Sequence, residues 1–173
     1  MEVYLIRHTT PEVAPGFIYG RTDVGLRESF LSEVKPIIGN LPSRLDAVYA
    51  SPSTRCVQLA KQLTTEFTID DRLYELDFGD WEGKTWDTID QLESAAWMED
   101  FVHVTTPNGE SMVQMNERVT NFWKELVQKA YSTVAVVTHG GVIRLLLAAD
   151  QQLPLASAFT INVDYGAVIR LRS

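Results

Sequence analysis

Cysteine occurs once in the 173 residues and histidine three times, and no apolar run approaches the roughly 18 residues that a membrane-spanning helix requires. Cys56 therefore has no partner for an internal disulfide, so nothing points to an oxidising compartment. Its apolar neighbours Val57 and Leu59 suit an inert, packed thiol. Basic residues are also in short supply: 15 Lys and Arg against 23 Asp and Glu give a formal net charge of -8. That balance argues against nucleic acid, which is usually met by a basic face, yet it allows a small anion held by a local cluster of Arg, His and backbone N–H groups. The start, Met1-Glu2-Val3-Tyr4-Leu5-Ile6-Arg7, is acidic where a signal peptide is basic, and its apolar stretch is too short for one. The expectation is a cytoplasmic protein with no nucleic-acid or membrane partner. What is plentiful is apolar character: 45% of residues are hydrophobic, enough at this length for one core and hence one domain over residues 1–173.

Short apolar segments alternate with helical patterns. Val3 to Ile6 reads as a buried strand ending at Arg7-His8, and a Pro/Gly-rich loop runs from Pro11 to Gly20. Leu26 to Ile38 is a predicted helix, and Asp46 to Ala50 a second strand. Ser51-Pro52 then reads as an N-cap and first turn. Leu76 to Gly83 has no period and reads as a structured loop, whereas Asp87 to Phe101 is predicted helical. Met112, Met115, Val119, Phe122, Trp123 and Leu126 recur at three- and four-residue steps, the core face of a long helix. Thr133 to Thr138 is the clearest buried strand, followed by a helix from Val142 to Ala149, and Phe159 to Arg172, broken at Gly166, reads as a hairpin. Strands alternating with helices imply an α/β protein of three layers, α/β/α, with a mainly parallel sheet and an antiparallel edge strand.

Such sheets bind ligands beyond the carboxyl ends of their strands, and the unusual residues of this sequence fall there. Arg7-His8 follows the first strand, Ser51 to Arg55 the second, and Thr138-His139-Gly140-Gly141 the strongest. A guanidinium at a buried strand end suits a bidentate contact to carboxylate or phosphate, although a salt bridge would serve as well. Arg55 stands in the first turn of its helix, where the dipole disfavours a cation unless an anion is bound. Gly140-Gly141 allows backbone N–H groups to approach an anion closely.

Together the blocks Leu5-Ile6-Arg7-His8-Thr9, Ala50-Ser51-Pro52-Ser53-Thr54-Arg55, Glu75 to Gly83, Gly109-Glu110-Ser111 and Thr138 to Arg144 resemble the histidine phosphatase superfamily, also called phosphoglycerate mutase-like. Within it, Arg7 to Pro11 and Ile18 to Asp23 most resemble the alpha-ribazole phosphatases of cobalamin biosynthesis. The resemblance implies a phosphatase for a small phosphate monoester, with His8 as nucleophile and Arg7, Arg55, His139 and Gly140 around the phosphoryl oxygens. Glu75 is implied as the acid and then the base, with Asp77, Asp80 and Glu82 as rivals in the same loop. No metal or cofactor is implied, and either a monomer or a homodimer fits.

Many family members carry Gly after the Arg-His pair and a phosphate-contacting Asn nearby, where this chain has Thr9-Thr10-Pro11-Glu12-Val13-Ala14. Thr10, or the backbone of Tyr19-Gly20, is the expected substitute, and a carbonyl near Gly20 is a candidate acceptor for the His8 ring. Trp81, Trp86, Trp97 and Phe101 cluster in a short segment that would form the lid, either as core or as a stacking surface for a flat group. Two other readings are a mutase, which would need a longer closing segment to exclude water, and a non-catalytic binding module.

Overall fold

The computed structural model describes Met1–Ser173. Its strands are β1 (Glu2–Arg7), β2 (Pro11–Glu12), β3 (Gly25–Leu26), β4 (Ala47–Ala50), β5 (Thr68–Ile69), β6 (Thr133–Thr138) and β7 (Val168–Arg172). The helices are α1 (Phe30–Gly39), α2 (Thr54–Leu63), α3 (Gln91–Glu99), α4 (Met112–Leu126) and α5 (Gly140–Asp150). Five strands form one sheet in the order β5-β4-β6-β1-β7. All neighbours run parallel except β7, which pairs antiparallel with β1 at the edge.

The sheet is buried on both faces, and the twofold alternation of strand side chains divides its residues between two cores. Val3, Leu5, Val134 and Val136 pack with the apolar faces of α4 and α5. Ile6, Ala135, Val137, Val48 and Ala50 pack instead with Val34 and Ile37 of α1 and Cys56, Leu59 and Ala60 of α2. Cys56 is fully buried, which pushes its thiol up to about 12. The stripe expected along α4 is buried at Met112, Met115, Val119, Phe122 and Leu126, and Ser111 and Gln114 close a capping box ahead of it.

Four local readings are corrected. Leu26 lies in β3, paired with Pro11, so the helix starts only at Phe30. The N-cap of α2 is Ser53, not Ser51: the Ser53 carbonyl takes the first helical N–H groups, while the Ser51 hydroxyl is held by a distant histidine. Residues 87–101 are not one helix. A turn of 3-10 helix at Trp86–Thr88 precedes α3, whose true start is Asp90, with its carboxylate accepting from the N–H of Leu92 and Glu93. The C-terminal hairpin is absent. Leu155–Thr160 is 3-10 helix and only β7 is a strand, because the Gly166 N–H and the Val163 carbonyl are committed to His8 and Arg7 rather than to a second strand.

The consequence for function is positional. β4, β6 and β1 are adjacent and end together, with Arg7 opposite Thr138 and Ala50 opposite Val137. The segments that leave these three strands therefore converge at one end of the sheet.

Candidate active site

Arg55 is the hub of that convergence. It is fully buried at the start of α2, and its Nε–H donates to His8 Nε2 at 3.3 Å, while one Nη donates to His139 Nδ1 at 3.2 Å and to the Gly20 carbonyl at 2.8 Å. The other Nη donates to the Thr22 carbonyl at 3.1 Å. No carboxylate is in ion-pair reach of Arg55, Arg7 or Arg144, although ion pairs occupy many other arginines of this acidic chain. Arg7 donates to the Val163 carbonyl, lies 3.8 Å from the ring centroid of Tyr165, and keeps a buried Nε–H without any partner. Buried cations left in this state favour a bound anion strongly.

The partners fix the state of both imidazoles. A backbone carbonyl only accepts, so His8 Nδ1 carries the proton it gives to Thr9 O at 2.8 Å, and Nε2 presents its lone pair toward Arg55. The acceptor is thus one residue away rather than near Gly20, whose carbonyl Arg55 already occupies. By the same logic His139 Nδ1 accepts from Arg55, and its Nε2–H donates to Ser51 Oγ at 2.7 Å. The two rings meet edge to face at 5.2 Å.

Burial, with Arg55 next, pulls His8 down to about 3, and burial, with His8 and Arg55 behind it, holds His139 well below the ordinary histidine value. Both are neutral at physiological pH. An unfolded chain takes up these two protons below about pH 6.5 while the native state does not, so stability falls as the pH falls through that window, by up to about 1.4 kcal/mol per pH unit for each ring. For His8 the loss continues down to about pH 3. Urea midpoints measured from pH 7 to pH 4 are expected to fall less steeply in His8→Asn than in the parent, and identical slopes would contradict this account.

Glu75 faces the same cavity, a pocket of about 200 Å³ lined also by Arg7, His8, Tyr19, Arg55 and Arg144. Its carboxylate accepts from the N–H of Gly141 and of Leu76, both at 3.0 Å. A Cβ at Gly141 would stand 2.1 Å from Glu75 Oε1, so any larger residue there would displace the Glu75 carboxylate. Arg118 anchors the segment by donating to the carbonyls of Arg72, Tyr74 and Glu75 and pairing with Glu110. The rival acids point elsewhere: Asp77 accepts from the Gly79 N–H, Asp80 from Asn108, and Glu82 from the N–H groups of Arg21, Thr22 and Phe78.

Of the remaining candidates, Gly140 opens α5 against Arg7, with room for a Cβ only 3.2 Å from the Arg7 guanidinium carbon. Tyr19 lines the pocket, bonded through its hydroxyl to that of Tyr165 at 2.5 Å. Gly20 supports Arg55 and packs so closely on the Leu76 carbonyl that a Cβ would fall 1.9 Å from it. Thr10 does not join the pocket, because both its N–H and its hydroxyl are spent on Glu33 of α1. His103 is on the surface, paired with Asp100.

Sequence reasoning missed Tyr165, Arg144, Ser51 and Phe159 as site residues. Arg144 sits one helical turn past Gly140 on α5, a spacing that was readable. Tyr165 and Phe159 lie in a segment misread as a hairpin and carried no signal of their own. No group of three or more His, Cys, Asp or Glu side chains is placed to hold a metal ion, and no helix is long and apolar enough to cross a membrane.

A mainly parallel three-layer sheet of the phosphoglycerate mutase-like kind, with arginines and paired imidazoles at its carboxyl end, defines a class of phosphoryl-handling enzyme. Residues 3–173 match the histidine phosphatase superfamily (branch 1), and the chain belongs to that family. It is a phosphatase. The adenosylcobalamin/alpha-ribazole phosphatase of Escherichia coli is 28% identical over 181 residues, covering 96% of this chain and 87% of that one. Phosphoserine phosphatase 1 of Hydrogenobacter thermophilus is 26% identical over 174 residues, covering 95% and 82%. In three dimensions the alpha-ribazole phosphatase of Shigella flexneri matches with a TM-score of 0.90 at 26% identity, covering 98% of this chain and 89% of that one.

Proposed function

We propose that this phosphatase hydrolyses phosphate monoesters through a phosphohistidine on His8, and that its substrate is alpha-ribazole 5'-phosphate. The observation that carries the chemistry is Arg55, a buried cation that holds both imidazoles and has no carboxylate of its own. A phosphate dianion entering the pocket supplies the missing charge, with Arg7 meeting further oxygens and His139, through Nδ1, holding the Arg55 guanidinium in place. His8 Nε2 then attacks phosphorus as the P–O ester bond breaks, and the leaving alkoxide takes a proton from Glu75. In the second half, Glu75 as carboxylate removes a proton from water, which attacks phosphorus, breaks the P–N bond and releases inorganic phosphate and neutral His8. The charge that spreads over the equatorial oxygens in each transition state is met by groups already in place, which is where most of the rate comes from.

The substrate reading is supported by the pocket walls. Leu76, Phe78, Met112, Met115, Leu145 and Phe159 surround the polar groups, a lining suited to an apolar leaving group and poor for a zwitterion. It is supported also by the alpha-ribazole phosphatases among the relatives. One observation favours a second reading, a small carboxylated ester such as phosphoserine: the Arg144 guanidinium lines the pocket, and its only hydrogen bond is from Nε to the Ile161 carbonyl.

A hydrolysis panel of alpha-ribazole 5'-phosphate, phosphoserine, 3-phosphoglycerate, fructose 2,6-bisphosphate and p-nitrophenyl phosphate separates the two. The expected result is a preference for alpha-ribazole 5'-phosphate of about a hundredfold in kcat/KM, some 2.7 kcal/mol of transition-state binding. A preference for phosphoserine that disappears in Arg144→Ala would install the second reading instead.

A further inference from the structure

At about 200 Å³ the phosphate pocket is smaller than the roughly 300–1,000 Å³ of ordinary small-molecule sites, so a leaving group of any size must lie partly outside it. One wall continues outward. Phe78 and Phe159 line both this pocket and an adjoining groove of about 390 Å³, whose other lining residues are Trp86, Trp97, Met98 and Phe101. No charged side chain contributes to it.

The groove is built as a chain of rings. Trp86 lies 5.8 Å from Trp97, Trp97 lies 5.9 Å from Phe101, and Phe101 lies 5.1 Å from Phe159, each within the range of favourable aromatic pairs. Trp81, fully buried and bonded through its indole N–H to Glu93, supports the chain from behind. The front is open to solvent: Trp86 is 45% exposed, Phe159 41% and Met98 67%. Rigid aromatic faces left bare beside a catalytic pocket mark a binding surface more often than chance exposure does.

We propose that this groove is the leaving-group subsite and that it takes the planar, uncharged aromatic portion of the substrate while the phosphoryl group sits against His8. The inference rests on the monoesterase reading above and extends it outward from the phosphate. Continuity through Phe78 and Phe159 places the groove one side-chain layer from the scissile bond. The absence of charge selects against a carboxylate or ammonium, which would give up hydration for no partner. The open faces of Trp86 and Phe159 supply the stacking area that a fused-ring base requires.

Two readouts test it. The first is quenching of tryptophan fluorescence by benzimidazole riboside, a probe that has the ring and sugar but no phosphate. The second is the ratio of kcat/KM for alpha-ribazole 5'-phosphate to that for phosphoserine. Trp86→Ala and Met98→Glu are each expected to weaken riboside binding about tenfold or more and to lower the ratio to match. Met98 is exposed enough that its variant keeps the fold even if Trp86→Ala does not. Riboside binding unchanged in Met98→Glu overturns the subsite, as does a concentration-dependent dimer that this variant disperses, because a second copy of the chain would then be what covers the groove. A preference for alpha-ribazole 5'-phosphate that both variants leave intact removes the subsite and keeps the substrate reading. Riboside binding lost in the variants alongside a parent that prefers phosphoserine keeps the subsite and removes the substrate reading.

Discussion

His8→Ala is expected to lower kcat by about 10⁴-fold or more on every phosphate ester, with the fold retained in circular dichroism. No other group can take over. Nε2 of His8 is the nitrogen whose lone pair faces the cations, because Nδ1 is committed to the Thr9 carbonyl. His139 is fully buried and does not line the pocket as His8 does, and its Nε2–H is held by Ser51, so neither of its nitrogens is placed to reach phosphorus. Cys56 is equally unavailable, its thiol pushed up to about 12 by burial. Water attacking the ester directly would lack the intermediate that divides the reaction into two easier steps. Radiolabel from a phosphate ester should be trapped on the parent protein and be absent from the variant. Activity within tenfold of the parent would rule out phospho-His8.

Arg55→Ala should cost about 10³-fold or more in kcat/KM, within the range that single arginines supply to phosphoryl transfer. The reason is that one guanidinium does several tasks: it faces the nucleophilic nitrogen, orients His139, and ties the loop at Gly20 and Thr22 to the pocket. Arg55→Lys is not expected to rescue, since an ammonium is a point charge that cannot span two imidazoles and two carbonyls. The cation should also be what inorganic phosphate reads. At a hundred times its Kd, phosphate is expected to raise the unfolding free energy of the parent by about 2.7 kcal/mol. Arg55→Ala should show a much smaller thermal shift at the same concentration. Equal shifts in the two proteins would place the phosphate elsewhere.

The parts of the site that were legible in the sequence are those attached to strong strands. Val3 to Ile6 and Thr133 to Thr138 are apolar, β-branched and bounded by polar residues, so both ends were readable and with them Arg7, His8 and His139. Arg55 was readable from its awkward place in a first helical turn. Glu75 could be set apart from Asp77, Asp80 and Glu82 in sequence only by resemblance. Three dimensions separate the four by their partners, the α5 N-terminus for Glu75 and loop N–H groups or Asn108 for the others. Thr10 was a reasonable substitute for a missing phosphate contact, and Glu33, 23 residues away, claimed it.

The C-terminal segment failed for a related reason. Its alternation suggests two strands, but Gly166 turns the chain, at φ +72°, so that Val163 and Tyr165 just before it contact Arg7 and His8, and only Val168–Arg172 pairs with β1. Hydrogen-bond partners supplied by distant residues overrode a local pattern, as they did where Leu26 joined Pro11 and where Ser51 turned to His139.

Local chemistry by itself therefore determined the layered α/β architecture, the parallel core of the sheet and the identity of the residues delivered to its carboxyl end. All three arise from periodicity and from what a buried strand can tolerate, both of which act over a few residues. Tertiary structure decided which nitrogen of each histidine carries a proton, which acid reaches the pocket, that Arg144 lines it while Tyr165 packs on Arg7 and His8, and that Trp86 and Trp97 line a groove joined to it. Each of those depends on the direction of a side chain relative to residues far away in the chain, and that direction is set by packing rather than by neighbours in sequence.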